Sequence, residues 1–232
     1  MKDLLKEVNK LASPYTRHLG IFDPHKYNLS ATVIGCGAVG SFISVGMAKM
    51  GVIDQTLFDM DTIEIENLPV QLHVRSKLGE NKAVATKAMI EDMCPEDTKI
   101  ETKGKWCALD HVKSDIVVSA VDSLHTRKVI WEAVKMDPSC RLLLDTRIGG
   151  QMMKCYAINP TDLADVKLYD ASFPKTKEGM EGSELPCTER GVLDISMFSA
   201  AFVLRSMRRW IVKQKKESYR VYNFQEEIQN IL

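Results

Sequence analysis

The chain has 232 residues, of which 45% are hydrophobic and 27% charged, and its formal net charge is zero. This length suits one large α/β domain with elaborations, and the neutral balance gives no argument for binding nucleic acid or a membrane surface. No apolar run reaches bilayer-spanning length, and the charged residues 1–10 do not resemble a signal peptide. Six cysteines without a Cys-x-x-Cys pair indicate reduced thiols in the cytoplasm and argue against a paired-thiol zinc site.

The N-terminal segment predicts a helix followed by an arm. Residues 1–12 place apolar side chains at helical spacing, which favours an amphipathic helix packed on the main domain. An irregular stretch follows, in which Arg17 taken alone is typical of a solvated loop. We therefore divide the chain into an N-terminal helix and arm (1–29), a main domain (30–212) and a C-terminal tail (213–232).

A glycine turn is the strongest motif in the chain. Gly35, Gly37 and Gly40 have Gly-x-Gly-x-x-Gly spacing, directly after a short apolar strand and directly before a helical pattern. A turn in that context brings backbone N–H groups and a helix N-terminus against a phosphate. The next strand ends at Asp59, and an acidic residue about 20 positions beyond the glycines suits a hydrogen bond to a ribose. Asp61 is a second acidic candidate.

Other polar side chains follow the predicted strands. Asn67 and Gln71 lie in a polar irregular segment after the second strand, where parallel sheets bind ligands. Lys82 falls in the first turn of a helix, where the helix dipole disfavours a cation, so it either meets a phosphate or is a surface lysine. Asp122 follows a buried strand and suits either an N-cap or a water-mediated Mg²⁺ ligand.

The order of elements predicts an α/β fold. We expect a Rossmann-like, doubly wound, mostly parallel sheet with an antiparallel extension at 152–158 and with flanking N- and C-terminal helices. Residues 161–189 are predicted to form a long mobile loop, because they combine many charges with proline and glycine. Residues 192–204 are nearly all apolar and predict a buried helix, and the tail from 217 predicts a docking arm.

Together these motifs resemble the ThiF/MoeB/HesA family, the adenylation domain shared with ubiquitin-activating enzymes. The glycine turn is similar to the family's nucleotide loop, residues 58–61 to its Asp-x-Asp strand end, and Asn67-Leu68 with Gln71 to its Asn-Leu-x-Arg-Gln segment. Four further segments match motifs of the family: Leu78-Gly79 with Lys82-Ala83, Ala120-Val121-Asp122-Ser123 with Arg127, Tyr15-Thr16-Arg17-His18, and Cys187-Thr188-Glu189-Arg190-Gly191-Val192-Leu193.

The resemblance implies ATP-dependent adenylation of the C-terminal glycine carboxylate of a ubiquitin-like or ThiS/MoaD-like sulfur-carrier protein ending in Gly-Gly. It implies that Asp59 binds the ribose and that Asp122 holds Mg²⁺. Lys82, together with Arg17 from the second subunit of a homodimer, would stabilise charge on the phosphates. Cys187 is the candidate nucleophile for a thioester, although family members that form no thioester also carry a cysteine there.

Three departures from the family keep alternatives open. Val70 stands where the family has arginine, Ser123 stands where it has asparagine, and the two zinc-binding Cys-x-x-Cys pairs are absent, so no zinc is expected. Val70 raises the alternative of a catalytically impaired homologue that acts as the scaffold subunit of a heterodimer. The glycine turn alone would also suit an NAD-dependent dehydrogenase, which the combination of Asn67, Lys82 and Asp122 disfavours.

Overall fold

The structure is a computed structural model that describes residues 14–94, 97–108, 110, 113–176, 192–213, 217–224 and 228–231. Eight strands in those ranges form one sheet: β1 (Ser30–Ile34), β2 (Asp54–Phe58), β3 (Lys99–Lys103), β4 (Ile116–Ser119), β5 (Leu142–Gly149), β6 (Met152–Ile158), β7 (Tyr219–Asn223) and β8 (Ile228–Ile231). The α-helices of these ranges are α1 (Gly40–Lys49), α2 (Lys82–Met93), α3 (Leu124–Val134), α4 (Leu163–Asp170) and α5 (Leu193–Ile211).

The sheet has the predicted mixed topology, with the strand order β3-β2-β1-β4-β5-β6-β7-β8. Strands β1 to β5 pair in parallel, and β6, β7 and β8 extend the sheet with antiparallel pairs. The chain winds from β1 outward to β3 and then returns to place β4 on the other side of β1. A crevice forms at the carboxyl ends of the strands where the winding reverses, and ligands bind there in open α/β sheets.

Helices cover both faces of the sheet, which confirms the doubly wound fold. Alternate strand residues enter different cores: Val118 and Leu144 pack in the layer of α1, α2 and α5, whereas Val117 and Leu143 pack in the layer of α3 and α4. Because both faces are buried, β4 begins with three consecutive apolar residues, Ile116–Val118, instead of alternating apolar with polar residues.

The predicted mobile loop at 161–189 is wrong at its beginning, where α4 forms. Asp162 caps this helix by accepting hydrogen bonds from the backbone N–H groups of Ala164 and Asp165. Tyr169 is fully buried and meets the Trp131 ring edge-on, at 4.9 Å between ring centroids. The charged residues between Asp162 and Tyr169 concealed the helical pattern in the sequence. Residues 177–191 lie outside the described part of the chain.

The C-terminal region also differs from the prediction. The helix expected to be buried is amphipathic: Val203 and Met207 are fully buried, but Met197 is 51% exposed. The tail is not a docking arm over its described residues, because β7 and β8 extend the sheet from β6. Tyr219 on β7 stacks on Tyr156 of β6 with centroids 4.6 Å apart, a cross-strand contact that favours this pairing.

Two expectations remain, one about the N-terminal helix and one about membrane-spanning helices. The predicted N-terminal helix at 1–12 lies outside the described residues. Among the helices that the structure describes, none combines the length and the apolar character needed to cross a bilayer.

Candidate active site

The glycine turn is closed by contacts that exclude side chains. Gly35 has a positive φ of 94°, and a Cβ there would lie 2.6 Å from the carbonyl oxygen of Ala120. A Cβ on Gly40 would lie 1.8 Å from the carbonyl oxygen of Gly35. At Gly37, by contrast, the nearest atom to a built Cβ is Gln71 Nε2 at 3.8 Å. Gly35 and Gly40 therefore shape the turn, whereas Gly37 leaves its outer side open for close approach of a ligand.

Asp59 lies beside this turn. Its carboxylate accepts the backbone N–H of Cys36 at 2.7 Å and that of Asp61 at 2.8 Å. Burial raises the pKa of Asp59, while these two hydrogen bonds and the charge of Lys82 oppose that rise. Each carboxylate oxygen has a second lone pair. Asp59 therefore braces the turn and retains acceptor capacity for hydroxyl groups of a ligand.

Asn81 ties helix α2 to the end of β2 and was missed as a site residue. Its side-chain oxygen caps the helix by accepting the N–H groups of Ala83 and Val84, at 3.0 and 3.2 Å. Its amide nitrogen donates to the carbonyl oxygens of Asp59 and Asp61, at 2.9 and 3.1 Å. An asparagine directly before a helix is an N-cap signal, so the capping half of this role was present in the sequence.

Lys82 begins α2 and forms an ion pair with Asp61. The ammonium lies 3.1 Å from Asp61 Oδ2, with the lysine side chain 11% exposed and that of Asp61 56% exposed. The carboxylate offsets the unfavourable position of a cation at a helix N-terminus. The alternative of a surface lysine is wrong, because this side chain is buried beside the site crevice.

The polar segment after β2 contributes Gln71 to the turn. Gln71 Nε2 faces Gly37, as the spacing above shows. Asn67 makes a local contact instead, since its Oδ1 accepts the N–H of Glu64 at 3.1 Å and completes the 3₁₀ turn Ile65–Asn67. The structure thus places Gln71 at the turn and gives Asn67 a role in shaping the segment that carries it.

Asp122 follows β4 at the same edge of the sheet. Ser119 is in register with Ile34, and the N–H of Ala120 donates to the Ile34 carbonyl at 2.9 Å, so β4 ends level with the glycine turn. Asp122 is exposed two residues further on. Ser123 caps α3 by accepting the N–H of Thr126 at 3.4 Å, so the N-cap interpretation of Asp122 is wrong.

Buried Arg127 holds the segment that carries Asp122. Its guanidinium donates to the carbonyl oxygen of Ser119 at 3.1 Å and also to that of Val121. It is paired with the fully buried carboxylate of Asp145. These contacts fix the backbone on both sides of Ala120, whose carbonyl closes against Gly35.

Arg17 and Cys187 are not joined to this site by the described structure. Arg17 is exposed in a turn near Tyr15, and Tyr15 packs beside Gly51, which follows the C-terminal end of α1. The glycine turn lies at the opposite end of that helix, about 15 Å away by helical rise. Cys187 lies outside the described residues.

The sheet topology, the glycine turn at its switch point and the carboxylate on the adjoining strand end define a Rossmann-like domain with a nucleotide-type crevice. The chain belongs to the ThiF family, whose family model matches residues 26–227.

The chain is also similar to individual proteins whose names describe enzymes. It is 30% identical over 177 residues to "Adenylyltransferase and sulfurtransferase MOCS3" of Dictyostelium discoideum, covering 72% of this chain and 39% of that protein. It is 39% identical over 77 residues to "tRNA threonylcarbamoyladenosine dehydratase" of Bacillus subtilis, covering 33% of this chain and 30% of that protein. The chain therefore spans well under half the length of these relatives.

The fold is similar to that of a solved structure. E. coli MccB with SeMet MccA has a TM-score of 0.70 at 16% sequence identity, over 88% of this chain and 63% of that chain. At this identity the likeness concerns the fold alone.

Proposed function

We propose that this chain uses ATP to adenylate the C-terminal glycine carboxylate of a ubiquitin-like or sulfur-carrier protein ending in Gly-Gly. The observation that carries the proposal is the convergence of Asp59, the Lys82–Asp61 pair and the open side of Gly37 at one switch point. A ribose acceptor, a buried cation and a phosphate turn are the parts that an ATP site needs. The adenylyltransferase name of the Dictyostelium relative supports this choice of reaction.

The proposed step forms one bond and breaks one. A carboxylate oxygen of the carrier attacks the α-phosphorus of ATP, the bond from that phosphorus to the bridging oxygen of the β-phosphate breaks, and pyrophosphate leaves with the electron pair. Backbone N–H groups of the glycine turn and the ammonium of Lys82 stabilise the charge that develops on the phosphates. Arg17 of a second subunit completes the set in this proposal, because its own subunit anchors it at the far end of α1.

Magnesium fits the proposed site through Asp122. The described residues contain no group of three or more His, Cys, Asp or Glu side chains that could hold a metal ion. Mg²⁺ needs no such cage, because it binds ATP enzymes through one or two carboxylates, water and the substrate's phosphates. Asp122 is exposed at the carboxyl edge of the sheet, and the residue that caps α3 is Ser123. The ion would neutralise phosphate charge when bound there.

Two finer features complete the proposal. Cys187 is the residue we propose for a thioester step, in which its thiolate displaces AMP from the adenylate and leaves the carrier bound to sulfur. We also propose a homodimer in the cytoplasm. The described cysteines are all free thiols, which supports a reducing compartment.

A second candidate function follows from Val70. The missing family arginine favours a scaffold subunit that binds nucleotide but depends on an active partner for chemistry. The Bacillus relative adds a different substrate class, a modified nucleoside in tRNA, through 39% identity over 77 residues. The scaffold role and the tRNA substrate predict different results in a single exchange experiment.

The deciding experiment is ATP–pyrophosphate exchange with purified candidate carriers that end in Gly-Gly. We expect carrier-dependent exchange that Asp122→Ala abolishes and that Asp54→Ala retains, since Asp54 lies at the opposite end of β2. ATP binding without exchange for any carrier supports the scaffold, and exchange only with tRNA carrying threonylcarbamoyladenosine supports the nucleoside substrate. Reduction of NAD in place of exchange contradicts the proposal.

A further inference from the structure

Three hydrogen-bonded side chains, Gln71, His73 and Thr86, lie next to the open side of the glycine turn. His73 is 5% exposed, and its ring lies between Gln71 and Thr86. Its Nδ1 is 2.9 Å from Gln71 Oε1, and its Nε2 is 3.0 Å from Thr86 Oγ1. The other end of the same carboxamide, Gln71 Nε2, faces Gly37. One imidazole therefore contacts the group that would meet a ligand at the turn.

The contact with Gln71 favours one nitrogen of the His73 ring as the site of the proton. An amide oxygen only accepts, so the contact between Nδ1 and Gln71 Oε1 is a hydrogen bond when the proton is on Nδ1. The Nε2 atom of a neutral ring then accepts from the hydroxyl of Thr86. Burial is the main cause that lowers the pKa of His73; the positive charge of Lys82 acts in the same direction, while a hydrogen bond to the backbone of Lys82 opposes it. A pKa below the ordinary value of about 6.5 favours the neutral ring at pH 7.

The opposite tautomer would reverse the carboxamide. With the proton on Nε2, the Nδ1 lone pair would oppose Gln71 Oε1, and the amide would rotate to donate to the ring. Its oxygen would then face Gly37. An oxygen at that point repels a phosphate, whereas the N–H groups of Gln71 Nε2 donate to a phosphate.

We propose that His73 is a positioning residue, which holds the Gln71 carboxamide with its nitrogen toward Gly37 so that Gln71 donates to an anionic phosphate at the turn. The identity of that anion as ATP rests on the proposed function. The orientation of Gln71 does not, because it follows from contacts within the chain.

Substitutions at His73 separate the two ring nitrogens. The Nδ2 amide of asparagine reaches the region of imidazole Nδ1 and donates to Gln71, whereas glutamine reaches toward Thr86. We expect Gln71→Ala and His73→Gln each to weaken ATP binding about tenfold, the loss of one hydrogen bond to a charged group. His73→Asn should retain affinity within about twofold, and adding His73→Gln to Gln71→Ala should weaken binding no further, as for residues acting through one contact.

Titration calorimetry with ATP on the full chain measures these affinities. A purely structural role for His73 predicts that the asparagine and glutamine variants weaken binding alike and that the double variant is additive, and that result overturns the proposal. Thermal unfolding of each variant accompanies the titrations, so that a loss of fold is separated from a loss of contact.

A second measurement works without nucleotide and without a variant. Two-bond ¹H–¹⁵N correlation NMR of the full chain reports which nitrogen of His73 is protonated. We expect the Nδ1–H tautomer at pH 7, and an Nε2–H ring or an imidazolium overturns the proposal. If the ring is Nδ1–H but the native chain binds no ATP, the orientation of Gln71 stands and the proposed function fails.

Discussion

The carboxylate of Asp59 accepts the backbone N–H of Cys36, the residue between the first two glycines of the turn, at 2.7 Å. This contact places a charged acceptor on the wall of the crevice where the ribose of a bound nucleotide would lie. We predict that Asp59→Asn weakens ATP binding about tenfold, because a hydrogen bond to a charged group is lost. Titration calorimetry measures the affinity.

A nucleotide analogue provides the control within the same protein. The native chain should bind ATP more tightly than 2′,3′-dideoxy-ATP, and the Asp59→Asn variant should bind both equally. Persistent discrimination in the variant would place the ribose contact elsewhere, whatever the change in overall affinity.

Lys82 leads to a second prediction, because its largely buried side chain pairs with Asp61 at the end of β2. Lys82→Met keeps the aliphatic stem and removes the charge. We expect ATP binding to weaken at least about tenfold and adenosine binding to change less than about twofold, since adenosine carries no phosphate.

The matched control is Lys87→Met on the same helix. Lys87 pairs with Glu91 on the surface at 3.7 Å, with its side chain 37% exposed. This variant should bind ATP as the native chain does. Equal loss of ATP and adenosine binding in Lys82→Met would show that the lysine supports the fold instead of the phosphates.

The positions of the candidate site residues could be predicted from the sequence where backbone geometry dictates residue type. At Gly35 and Gly40 a Cβ atom would overlap backbone atoms, so only glycine fits there. The position of Asp59 beside the turn follows from its spacing after the glycines, which is the length of one helix and one strand. Local rules of this kind act over a few residues and are legible in a single chain. The central strands β1, β4 and β5 were equally clear, because burial on both faces favours runs of apolar residues in them.

The features that were missed depend on contacts between distant segments. The sequence places Asp145 and Arg127 18 residues apart, and only the parallel pairing of β4 with β5 brings the carboxylate to the guanidinium. Helix α4 was missed because charged residues lie among the few buried side chains that hold it to the core. The tail became strands through pairing with β6, a register that no local pattern specifies.

Asp145 leads to a prediction about stability. Its fully buried carboxylate accepts hydrogen bonds from Arg127, from Arg147 Nε at 2.7 Å and from the Tyr169 hydroxyl at 2.9 Å. Asp145→Asn leaves two buried guanidinium groups without their counter-ion. We expect the free energy of unfolding in urea to fall by about 3 kcal/mol, the lower end of the cost of breaking a buried ion pair. Glu91→Gln, which removes the surface pair with Lys87, should change it by less than about 1 kcal/mol.

The same carboxylate makes the stability depend on pH. Burial raises the pKa of Asp145, but the charges of Arg127 and Arg147 outweigh that effect and hold the pKa below its ordinary value. A carboxyl whose pKa is depressed on folding stabilises the protein above its unfolded pKa of about 3.9 and loses that contribution as the pH falls. The stability difference between the native chain and Asp145→Asn should therefore be constant from pH 7 to 5 and shrink below about pH 4. A difference that grows with acid would contradict this assignment.

Arg17 provides the test of the proposed dimer, because its turn is anchored by Tyr15 near Gly51, at the far end of α1 from the site. We predict that Arg17→Ala and Asp122→Ala are each inactive in ATP–pyrophosphate exchange as pure proteins. When the two are unfolded together, mixed equally and refolded, random pairing makes half of the dimers mixed. Each mixed dimer has one site with an intact Asp122 and an intact Arg17 from the partner subunit, so activity should return to about a quarter of the native value. If Arg17 served its own subunit, every site in the mixture would lack one group and no activity would return.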